Sequence, residues 1–101
     1  MLQRTLSTAL ASHPGERVAV EGWIHRRRRL ATITFLIVRD RCGLTQVVVS
    51  DDATRQQLDR LGEETVIRVE STVCANVKAH GGEELAAPTI TELSAPAAFV
   101  G

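Results

Sequence analysis

The chain has 101 residues and an apolar fraction of 44%, enough for one domain with a single small core and too much for a disordered chain. Twelve Lys and Arg balance twelve Asp and Glu, so a uniformly basic, non-specific polyanion binder is excluded. Apolar runs of only a few residues exclude a helical membrane span, and the N-terminus lacks the basic flank and apolar core of a signal peptide, so a cytoplasmic chain is expected.

Residues 5–11, TLSTALA, predict one or two helical turns, stopped by Pro14 and Gly15. RVAVEGWIH (17–25) alternates as a first strand, with Val18, Val20 and Ile24 on one face and Trp23 and His25 on the other. RRRRLAT follows as a basic loop or strand end. ITFLIVRD (33–40) and LTQVVVS (44–50) are rich in β-branched residues and predict a hairpin across the polar turn around DRCG. In DATRQQLDRLG (52–62), Leu58 and Leu61 lie three apart in a polar setting, which predicts a short surface helix ended by Gly62. ETVIRVESTVCANV (64–77) alternates again, Ile67, Val69, Val73, Ala75 and Val77 against Arg68, Glu70, Thr72, Cys74 and Asn76. After a loop at KAHGG comes a last strand near 84–93, which Pro88 marks as edge-like. Five strands with a helix between the third and fourth predict an all-β fold, the five-stranded OB-fold barrel, preceded by a short N-terminal helical turn. Residues 1–94 make the expected domain, and 95–101 the start of a linker or C-terminal tail.

Zero net charge conceals an asymmetry. From Arg17 to Arg41 seven arginines face only Glu21 and Asp40, a local balance of +5, and eleven of the twelve basic residues are Arg. That side chain both forks onto phosphate and stacks on bases. The hairpin register then decides what stands beside the arginines. With an even number of loop residues, Arg39 faces Leu44, Ile37 faces Gln46 and Phe35 faces Val48. Leu36, Val38, Val47 and Val49 form the wholly apolar, core-facing set, and Phe35 and Gln46 look outward together; an odd loop separates them. An outward ring offers a stacking platform to an unpaired base and an outward amide reads a base edge. The competing reading from the residues alone puts Phe35 in the core and the arginine run in a solvated loop. Adjacent arginines on a strand cannot all point one way, so about two of Arg26 to Arg29 are expected to touch RNA.

No acid–base pair, activated nucleophile or phosphate-cradling glycine loop is present. Asp51 and Asp52 stand where a helix cap is needed, and Asp40 where a turn is. Cys42 and Cys74 form no CxxC pair and His13, His25 and His80 are scattered, so two free thiols and no metal or other cofactor are expected.

At GWIHRRRRLATITFLIVRDRCGLTQVVV (22–49) the sequence closely resembles the N-terminal anticodon-binding domain of aspartyl-tRNA synthetases, a pattern shared by the asparaginyl enzymes. Gly22, Trp23, Arg26, Arg27, Arg28, Leu30, Phe35, Arg39, Asp40, Arg41, Gly43, Gln46 and Val47 carry the match. A weaker similarity continues through VIRVESTVCANVKAHGGEELAAPTITELSAPA and extends the resemblance to nearly the whole chain. It implies an OB-fold that grips the anticodon stem-loop of an aspartate or asparagine tRNA. Phe35 is then the residue that stacks on an anticodon base and Gln46 the one that hydrogen-bonds to one. Glu84, with Glu83 as the alternative, is the glutamate after the glycines of the last loop that contacts the anticodon. Arg26 and Arg28 become contacts to the backbone or to loop bases, and Trp23, His25, Arg29 and His80 complete the candidate RNA-binding set.

Three departures from the family stand out. Arg29 replaces an aspartate and Ala31 a glycine, which changes the loop after the first strand. His25 and His80 occupy variable positions near the anticodon, where a choice between aspartate-only and relaxed aspartate/asparagine recognition is expected to lie. The family's aminoacylation domain lies outside these 101 residues, so no activity is expected from this chain alone, and its parent would be an aspartate–tRNA ligase. Two other readings compete: a protein-docking or self-associating OB module, and a general single-stranded nucleic-acid binder.

Overall fold

In the computed structural model the described residues are 5, 6, 10, 13–62, 64–76, 78 and 82–94. Each alternating segment has become a strand because its apolar residues can share one buried face. The elements are β1 (Arg17–Arg29), β2 (Thr34–Arg39), β3 (Leu44–Val49), helix α1 (Asp52–Asp59), β4 (Val66–Ala75) and β5 (Glu83–Ser94). They close into a barrel in the order β1-β2-β3-β5-β4, with β3 and β5 parallel and the other described pairs antiparallel. The all-β, five-stranded barrel with a helix between the third and fourth strands is thus as expected. Of the predicted N-terminal turn only Thr5, Leu6 and Leu10 are described, so that element lies largely outside the described residues.

The core is the inward set of every strand: Val18, Val20 and Ile24, then Leu36 and Val38, Val47 and Val49, Ile67, Val69 and Val73, and finally Leu85 and Ile90. Fully burying one such side chain is worth about 1.5–3 kcal/mol. Helix α1 closes the barrel. Its Leu58 is fully buried and Leu61 packs against the same cluster, while Asp51 caps its start by accepting from the Thr54 backbone N–H at 2.9 Å. The described inward run of β4 ends at Val73, since Ala75, expected inward, is exposed at the strand end; Val77 lies outside the described residues.

Long strands in a small barrel must bend, and both β1 and β5 do. The first half of β1 pairs with β4, from Arg17 to Trp23, and the second with β2, from Trp23 to Arg29. At the changeover Gly22 lies so close to β2 that an added Cβ would stand 2.2 Å from the Arg39 carbonyl oxygen. Just beyond, Ile24 pairs with Val38 but Arg26 with Ile37, so His25 is the extra residue of a bulge. The arginine run, expected as a loop or strand end, is therefore strand throughout.

Pro88 does not make β5 an edge. The strand is paired on both sides, with β3 and with β4, and Pro88 sits where the β4 register jumps between Thr72↔Ala86 and Glu70↔Thr89. A bulge needs no ladder donor there, which is how a proline fits inside a closed sheet. Ala87 takes a left-handed φ of 51° at this point. Arg17 ties the bulge down, donating to the Ala87 and Glu70 carbonyls at 3.1 and 2.9 Å.

Candidate nucleic-acid interface

The hairpin turn between β2 and β3 has four residues, Asp40 to Gly43, an even number. Asp40 shapes it by accepting from the backbone N–H groups of Cys42 and Gly43, both at 2.9 Å. Phe35 therefore pairs with Val48, Ile37 with Gln46 and Arg39 with Leu44, while Leu36, Val38, Val47 and Val49 are fully buried. Phe35 and Gln46 emerge on the outer face together, each half-buried. They line an open groove of about 380 Å³ with Arg26, Arg28, Ile37, Asn76 and Lys78.

The bulge at His25 decides which arginines reach that groove. By shifting the alternation one step, it sets Arg26 opposite Ile37 and Arg28 opposite Phe35, so both share the outer face. Arg27 and Arg29 turn to the helix: Arg27 donates to the Leu58 carbonyl, and Arg29 pairs with Asp59 at 3.1 Å. The structure thus brings two of the four arginines to the groove. Arg29 is not among them.

The wall opposite the arginines is polar. Glu84 pairs in register with Gln46 on β3, and its Oε2 accepts from Gln46 Nε2 at 3.4 Å. Its Oε1 accepts from Asn76 Nδ2 at 2.8 Å. Of the two glutamates that open β5, Glu84 is the one beside Gln46; Glu83 pairs with Ala75. Trp23 lies farther along the outer face, between Arg39 of β2 and Val66 of β4, and does not line the groove. His25 is exposed at the bulge, and His80 lies outside the described residues. Sequence reasoning missed Asn76 and Lys78 as groove residues. The alternation of 64–77 had placed Asn76 on the outer face, but only the docking of β4 beside β5 reveals what it meets there.

A second arginine role was also missed. Arg55 of α1 is 5% exposed and donates to Thr34 Oγ1 at 3.1 Å and to the Leu30 and Ala31 carbonyls, satisfying the loop that follows the basic run. Among the described residues no three His, Cys, Asp or Glu side chains converge as a metal site, and Cys42 and Cys74 are free. Nor is any described helix long and apolar enough to cross a membrane.

A closed barrel that gathers a half-exposed ring, an amide and two outward arginines in one groove defines an OB-fold nucleic-acid-binding domain. The model of the tRNA anticodon family, the OB-fold nucleic acid binding domain, matches residues 18–93, and the chain belongs to that family. It is similar to the aspartate–tRNA(Asp/Asn) ligase of Methanopyrus kandleri, 42% identical over an alignment of 84 residues that covers 79% of this chain and 20% of that enzyme. The aspartate–tRNA ligase of Geobacillus kaustophilus is 44% identical over 64 residues, 60% of this chain and 11% of the enzyme. Among solved structures, asparaginyl-tRNA synthetase from Pyrococcus horikoshii superposes with a TM-score of 0.84 at 27% identity, over 94% of this chain and 24% of that one. The domain is thus of the anticodon-binding kind found in aspartyl- and asparaginyl-tRNA synthetases, and the chain spans a fifth or less of the curated relatives it matches.

Proposed function

We propose that this domain grips the anticodon stem-loop of an aspartate tRNA, as the recognition module of an aspartate–tRNA ligase acting in the cytoplasm. Phe35 stacks on one unpaired base, Gln46 and Glu84 meet base edges, and Arg26, Arg28 and Lys78 hold flanking phosphates. The supporting observation is the shared outer face of Phe35, Gln46, Arg26 and Arg28, which places a ring, an amide and two cations within one groove. Asparagine tRNA is a second ligand under this reading, because the M. kandleri relative is named for both tRNAs.

The test is binding to an aspartate-tRNA anticodon hairpin beside one with a scrambled loop, at two salt concentrations. Native-loop preference is expected, and Phe35→Ala should abolish it at a cost of about 1–3 kcal/mol, the scale of one base stacked on a ring. Equal, steeply salt-dependent binding to both hairpins would reduce the site to a general single-strand binder. Indifference to both would move the weight to protein docking.

A further inference from the structure

Across the mouth of the groove, side chains from β3, from β5 and from the residue after β4 form one hydrogen-bonded chain. Asn76, just past the end of β4, is held twice: its backbone N–H donates to the Gly82 carbonyl at 2.9 Å, and its Oδ1 accepts from the Lys78 backbone N–H at 3.0 Å. With the oxygen so engaged, the amide orientation is set and Nδ2 points to β5. There it donates to Glu84 Oε1 at 2.8 Å, and Glu84 Oε2 in turn accepts from Gln46 Nε2 at 3.4 Å. A carboxylate only accepts, so it selects the nitrogen end of the Gln46 amide. Left for a ligand are Gln46 Oε1, on the side away from Glu84, and the second Nε2 hydrogen.

From this we infer that Asn76 is a positioning residue for base reading: through Glu84 it sets which way round the Gln46 amide faces the groove. The inference rests on the proposal above that Gln46 meets a base. With the amide fixed, a base is accepted only when its donor lies opposite Oε1 and its acceptor opposite the free Nε2 hydrogen. A base with the reversed order leaves like groups facing each other. Release of Glu84 lets the amide turn over, so that both orders are tolerated. Asn76 then contributes selectivity more than affinity.

Two measurements on the full 101-residue chain test this, and they fail independently. The first needs no RNA. In the free protein, the two side-chain amide protons of Gln46 should be well separated in a ¹⁵N–¹H spectrum, and Asn76→Ala and Asn76→Asp should both draw them together. Asp is isosteric but offers Glu84 an oxygen where Nδ2 stood. Unchanged Gln46 resonances in both variants would overturn the relay, whatever the RNA does. The second uses anticodon hairpins in which each loop base is replaced in turn. Asn76→Ala should cut selectivity about fivefold, the scale of one hydrogen bond, at the same loop position where Gln46→Ala removes it, and should cost nothing further in the Gln46→Ala background. An equal loss of affinity for every hairpin, in both backgrounds, would make Asn76 a mere loop support and sink the inference. A wild-type protein without selectivity at any position would instead sink the anticodon reading, and the spectrum would still decide whether Asn76 orients Gln46.

Discussion

Gly22 shows how much one residue of this chain carries. A Cβ there would meet the Arg39 carbonyl oxygen at 2.2 Å and its carbon at 2.8 Å, both backbone atoms of the neighbouring strand. Neither can swing aside as a side-chain tip would. Gly22→Ala is expected to destabilise the barrel by about 1–3 kcal/mol, read as a lower urea midpoint at unchanged slope. An unchanged midpoint would mean that β1 and β2 separate at no cost. The glycine itself was conspicuous in the sequence as part of the GWIHRRR run; its reason was not, because the clash is with a residue seventeen positions away. Glu84 and Asn76 differ in the same way. The resemblance alone singled out Glu84, with Glu83 as the alternative, whereas the Asn76 contact depends on how the end of β4 meets β5.

At the scale of elements, β1 divides its arginines between two tasks. Arg26 and Arg28 line the groove; Arg27 and Arg29 hold the C-terminal end of α1. Arg28→Ala should therefore weaken hairpin binding and lower the slope of log K against log salt by about 0.7, with stability unchanged. Arg29→Ala should leave binding and slope alone. Its ion pair with Asp59 is 51% and 39% exposed, so the stability change should stay under about 1 kcal/mol. The reverse pattern would refute the division. At the other end of α1, the Thr54 backbone N–H and then its hydroxyl hold the Asp51 carboxyl below its ordinary value of 3.8. A carboxyl lowered on folding adds stability above that ordinary value and loses it as pH falls through the lower, folded one. The melting-temperature gap between wild type and Asp51→Ala should thus be widest near neutrality and close below pH 3.8. A gap that persisted in acid would show that the cap does not act through the charged carboxylate. The cap and the helix were legible in the sequence, since both are local; the division of the arginines was not, because it turns on a bulge that no periodicity announces.

For the molecule as a whole, a net charge of zero coexists with three cations around one groove, Arg26, Arg28 and Lys78. A protein that binds through this groove alone should show a shallow salt dependence, with a slope of about −2 for single-stranded contacts. A much steeper slope would require phosphate contacts elsewhere on the barrel, and none at all would exclude the groove. Such a modest electrostatic share leaves stacking and base edges to carry discrimination. Closure serves the same end. Because β3 and β5 pair in parallel, Gln46 and Glu84 become neighbours although they are far apart in sequence, and the groove gains its polar wall.

What the chain's order of residues determined by itself was most of what repeats over a few positions: which segments are strands, which residues face inward except at the end of β4, where the helix is capped, and that Phe35 stands beside Gln46 on condition that the turn is even. Those features follow from two-residue alternation and local hydrogen bonding, which act between near neighbours. Only the tertiary structure decided that Arg26 and Arg28, and not Arg29, reach the groove, that Pro88 lies at a bulge inside a closed sheet, and that Asn76 and Gln46 both donate to Glu84. Each of these depends on the register of one strand against another, near in the chain for β1 and β2 and distant for β5 with β3 and β4, and one extra residue in one strand turns every later side chain to the opposite face.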